Sequence, residues 1–75
     1  VVIEFSGGRL IVSPQEVLVK LNASGASLYA MADDVRLLSA GHIMVADAGA
    51  VQWHLTLDGP EQLAEVADCL GVAIS

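Results

Sequence analysis

VQWHLTLDGPEQLAEVADCL, residues 51–70, holds the one point at which the chain changes its hydrophobic period. Val51, Trp53, Leu55 and Leu57 alternate with Gln52, His54 and Thr56, the two-residue period of a strand. Beyond Asp58-Gly59-Pro60, Leu63, Val66, Ala67 and Leu70 fall on one face of a helix. The punctuation agrees. Pro60 suits a first helical turn, Asp58 with Glu61 fits a capping box, and Gly71 lies where a left-handed helix stop is expected. Glu61, Glu65 and Asp68 share the opposite, solvated face, so a helix is predicted over about 60–70.

Upstream of the switch the two-residue period persists. Val1, Ile3 and Phe5 alternate with Val2 and Glu4, and Ser6-Gly7-Gly8 offers the positive φ angles of a tight hairpin. A second strand over 9–13 ends at Pro14, which has no N–H for a ladder. Glu16–Leu21 is a third, with Val17, Val19 and Leu21 on one face, and a polar loop over 22–27 leads to a fourth over 28–32. Residues 33–40 admit two readings. Asp33-Asp34 can cap a short helix, while Val35 and Leu37 alternate with Arg36; a strand is favoured because Gly41 leaves too few residues for a normal helix. Residues 42–46 and 51–57 complete the set, separated by an Asp47-Ala48-Gly49-Ala50 turn.

Six or seven strands over about 1–57 and one helix over about 60–70 make a single domain, 1–75, of the α+β class. The expected architecture is a strongly bent antiparallel β-meander or split barrel, with the helix on its concave face or open end. In element order this resembles the pleckstrin-homology-like (PH-like) superfold. That resemblance does not imply phosphoinositide binding, because near the first hairpin the chain offers only Arg9. The stretches VVIEFSGG, SPQEVLVKL and VADAGAVQWHLTLD, followed by a short Leu/Ala helix, resemble a family of small bacterial proteins of unknown function. This second resemblance implies a bacterial, cytoplasmic, stand-alone domain and brings no catalytic residues with it.

Composition narrows the partners. Hydrophobic residues make up 55% of the chain and charged residues only 16%, too few to cover a small domain in the usual mixed-charge way. Nine carboxylates against Arg9, Lys20 and Arg36 give a net charge of −6, which repels nucleic acid and anionic lipid. The longest uncharged stretch, 21–32, is shorter than the ~20 apolar residues of a membrane span and contains Asn22, Ser24, Gly25 and Ser27. The first residues show no signal-peptide pattern, and the single Cys69 suits a reducing cytoplasm.

No residue set announces chemistry. His42, His54 and Cys69 lack the short paired spacing of zinc ligands. Cys69 lies near a helix C-terminus beside Asp68, where its thiolate is disfavoured. Asp33, Asp34, Asp47 and Asp58 fall at turns or caps, where aspartate has a structural task. The expectation is a non-enzyme without metal or cofactor.

The surface carries the stronger signal. With Val17, Val19, Trp53, Leu55 and Leu57 taken as core, the opposite positions include Val2, Ile11, Leu18, Tyr29, Met31, Leu38 and Met44. A solvated sheet face should be mostly polar there. The leading expectation is therefore a protein–protein interaction module, homodimeric through this apolar face or an edge strand. Two other readings exist. The sheet can fold over so that both faces are partly buried, or a small apolar ligand can occupy a cavity between sheet and helix, lined by Tyr29, Met31, Met44 and Trp53.

Overall fold

In the computed structural model, which describes residues 1–75, seven strands and one 3-10 turn precede the helix. Strands β1 (Val2–Phe5), β2 (Gly8–Val12), β3 (Glu16–Leu21) and β4 (Ser27–Met31) form one sheet in that order, and every neighbouring pair is antiparallel. Strands β5 (Val35–Leu38), β6 (Ile43–Asp47) and β7 (Gln52–Thr56) form a second antiparallel sheet, and helix α1 (Pro60–Leu70) follows. The domain is thus α+β, with two open meanders and one C-terminal helix.

The ambiguous segment divides between its two readings. Ala32–Asp34 is a single 3-10 turn, and the strand begins only at Val35. The turn carries the chain from one sheet to the other, and the two aspartates occupy it fully or partly in solvent.

Alternation sorts each strand into two faces. Ile3, Leu10, Val12, Val17, Val19 and Ala30 point inward from the first sheet, and Val35, Leu37, Met44 and Ala46 from the second. Leu63, Val66 and Leu70 of α1 complete a single cluster with them, and no polar side chain is buried. Trp53 and Leu55, expected at the centre, are only half-buried, because β7 borders its sheet; Val51 is exposed.

Of the three residues expected to give the first hairpin positive φ, only Gly8 does so, at 159°. The glycine requirement is steric and falls on Gly8, opposite Leu21, where a Cβ would stand 2.0 Å from the carbonyl oxygen of Lys20. At the helix start the expected capping box is displaced by one residue. Pro60 occupies the first turn, so the cap is Gly59, which has no side chain to give. The third helical residue, Gln62, still reaches back and accepts the N–H of Asp58 at 3.0 Å. Asp58 is thereby free to face the first hairpin, accepting the Ser6 N–H at 2.9 Å and the Ser6 hydroxyl at 2.6 Å. Gln62 also donates to the Glu4 carbonyl at 2.9 Å.

Helix α1 stops at Gly71, left-handed at φ 72°, whose N–H bonds the Ala67 carbonyl at 2.8 Å. The last residues then return to β5. Ile74 bridges Leu37 in parallel, Ser75 N–H donates to Leu37 O at 2.8 Å, and Ser39 N–H donates to Ser75 O at 3.0 Å. That tail occupies an edge otherwise open to other chains.

Candidate interaction surface

Three turns set the register of the first sheet, and the register assembles the surface. The Ser6-Gly7 turn places Val2 opposite Ile11; the turn over 13–16 places Ile11 opposite Leu18; the loop over 22–26 places Leu18 opposite Tyr29. Four apolar residues, one per strand, therefore form a continuous row across the outward face, perpendicular to the strands. Val2, Ile11 and Tyr29 are exposed at 58%, 37% and 53%, and Leu18, hemmed in by its neighbours, is half-buried. Met31, 51% exposed, extends the patch along β4 opposite Glu16.

Charge flanks the row on both sides. Toward the first hairpin lie Glu4, Arg9, Lys20 and Ser27 in register; toward the other end lies Glu16. Arg9 and Lys20 stand directly opposite each other on adjacent strands, an unfavourable like-charge pairing. Arg9 reaches Glu4 only at 4.0 Å, with both side chains largely in water, which is worth little. The Tyr29 hydroxyl donates to Glu16 Oε2. That bond raises the Tyr29 pKa above its ordinary value, assisted by partial desolvation and by the Glu16 charge.

Five of the seven expected surface residues thus lie together: Val2, Ile11, Leu18, Tyr29 and Met31. Leu38 lies apart, on the outer face of the second sheet beside Ile43, and is half-buried. Met44 is a correction. It is completely buried, between Leu37 and Leu55, because the turn into β6 sets Ile43 and Val45, not Met44, on the outer side. Gly41 and His42 both have positive φ in that turn, 83° and 53°.

Polar groups elsewhere are dispersed over the domain. His42 lies in the β5–β6 turn, His54 on the exposed face of β7, and Cys69 on α1, where its thiol donates to the Val12 carbonyl at 3.6 Å; the three do not converge. Asp47 accepts from the Gln52 amide at 2.9 Å and from the Gly49 N–H at 3.0 Å, and these two bonds lower its pKa. Two shallow depressions exist, of about 240 and 180 Å³. One lies among Glu4, Arg9, Lys20 and Asn22, the other beside Pro14 and Met31, and no helix residue lines either. Tyr29 and Met31 face outward while Met44 faces the core, so the lining expected of a ligand cavity is not gathered. The Ser6–Asp58–Gln62 ties and the Tyr29–Glu16 bond escaped sequence reasoning. The even spacing of Glu16, Leu18 and Lys20, once registered against Tyr29, was the signal available for the second.

These features define a class: an α+β domain of two antiparallel meanders closed by one helix, with an apolar outer sheet face. The chain belongs to the family described as "Protein of unknown function (DUF3389)", whose model matches residues 1–74. No curated protein and no solved structure matches it, so the PH-like resemblance rests on element order alone. No helix is long and apolar enough to cross a membrane.

Proposed function

We propose that this domain is a non-catalytic protein–protein interaction module of the bacterial cytoplasm, which self-associates through the outer face of its four-stranded sheet. One observation carries the reading: the exposed row Val2, Ile11, Leu18 and Tyr29, a single apolar residue from every strand. An outward sheet face normally presents polar residues at these positions, and a contiguous apolar strip marks an interaction site. Two of the four sheet edges are engaged, β5 by the Ile74–Ser75 tail and the end of β1 by Asp58 and Gln62; β4 and β7 stay open, and the face is favoured over them because the apolar row crosses every strand of its sheet.

Sedimentation velocity tests this directly. A dimer is expected at micromolar concentration, and Leu18→Asp converts it to a monomer while leaving thermal stability nearly unchanged. Trp53→Asp, in contrast, lowers stability, because Trp53 packs against the core. A clean wild-type monomer at high micromolar concentration refutes the proposal.

A further inference from the structure

We infer that the second copy docks about a two-fold axis lying along the row Val2–Ile11–Leu18–Tyr29, so that Glu16 of each copy faces Lys20 of the other. This rests on the homodimeric reading above and specifies its register. A face-to-face two-fold axis lies in the plane between the two sheets, and it can run along the strands or across them. Along the strands it keeps each end of the sheet over the same end of its copy. Strand β2 then covers the partner's β3, and Arg9 lands on the partner's Lys20, repeating between copies the like-charge pairing already present within one.

Across the strands the ends exchange. Each strand covers its own copy running the other way, the apolar row stacks on itself, and charges equidistant from the row change places. Strand β3 is built for this exchange. Glu16 and Lys20 lie two residues on either side of Leu18, on the same outward face and both exposed. Rotation about Leu18 brings each onto the opposite charge, twice per dimer. Arg9, one strand away from Lys20, comes to lie diagonal to the partner's Glu16, a better position than its 4.0 Å approach to Glu4. Lys20 has no ion-pair partner within its own copy, whereas Glu16 is steadied by the Tyr29 hydroxyl. Packed sheets cross at about 30°, which displaces residues two places from the axis by about 3–4 Å, less than one strand spacing. The pairing therefore survives the twist.

The test is a charge exchange followed by light scattering and sedimentation equilibrium on wild type, Glu16→Lys and Lys20→Glu, with circular dichroism to confirm that each variant is folded. Each single variant places like charges together and should weaken self-association at least tenfold. An equimolar mixture of the two places Lys against Glu at both contacts and should restore the dimer, as should the double variant. If wild type dimerises but the single variants still do, or if the mixture fails to associate, this register is overturned while self-association stands. If wild type is monomeric at high micromolar concentration, both readings fall.

Discussion

Gly8→Ala is the sharpest test of the first sheet. An alanine Cβ there would stand 2.0 Å from Lys20 O, 3.0 Å from Lys20 C and 3.1 Å from Leu21 Cα. All three are backbone atoms of the neighbouring strand, so no rotamer change relieves the contact. The β2–β3 ladder must open at its Gly8–Leu21 end, beside Leu10 and Val19, which are completely buried. Overpacking of this kind costs about 1–3 kcal/mol, and each ladder bond lost adds about 1 kcal/mol, so a total near 3 kcal/mol is expected. For a domain of this size that lowers Tm by roughly 12–24 °C. Gly49→Ala separates close approach from conformation: φ is 85° at Gly49, with open space around it. It should lose only about 1 kcal/mol, the left-handed penalty alone. Thermal and urea unfolding followed by far-ultraviolet circular dichroism measure both. A Gly8→Ala protein within 1 kcal/mol of wild type, or more stable than Gly49→Ala, refutes the reasoning.

Other perturbations have equally definite outcomes. Asp58→Ala removes both bonds to Ser6 and should cost about 1–2 kcal/mol in urea unfolding, with Ser6→Ala, which keeps its N–H, costing less. Met44→Ala should lose about 2–5 kcal/mol, whereas Met31→Ala should stay within about 0.5 kcal/mol; equal effects would contradict their opposite placement. Because the Asp47 pKa is lowered by Gln52 first and by the Gly49 N–H second, its contribution to stability is present above the ordinary carboxylate value. It is lost as pH falls through the lowered one. Asp47→Asn should therefore flatten the fall in urea midpoint below about pH 4; an unchanged acid slope would show that these bonds do not matter.

What could be read before the fold was in hand depended on whether the cause was local. The strand-to-helix switch, Pro60 and Gly71 are local signals that set the helix boundaries, and strand Glu16–Leu21 follows from the alternation of its own Val17, Val19 and Leu21. Met44 could not be placed, because its face depends on how the chain leaves the Gly41-His42 turn, and alternation cannot be counted across such a turn. Spacing alone ties Asp58 to the helix start, while its partner Ser6 lies at the other end of the sequence. The apolar outer face is legible in the sequence as a list but not as a row. Its five contiguous members separate from Leu38 and Met44 only when three turns have fixed which residues stand side by side.

The ties from Asp58 and Gln62 to the first hairpin also bear on the order of folding events. The hairpins of the four-stranded sheet pair residues close in sequence and can zip early, whereas the Ser6–Asp58 and Glu4–Gln62 bonds span 52 and 58 positions. Their long separation leads to the expectation that these ties form late, after the rate-limiting barrier, as a latch on a nearly finished molecule. Loosening them by about 1 kcal/mol should therefore quicken unfolding about fivefold and leave refolding almost untouched. In a stopped-flow chevron the unfolding limb of Asp58→Ala rises while its folding limb overlays wild type. On that expectation the helix end governs how long the folded molecule lasts more than how fast it is made.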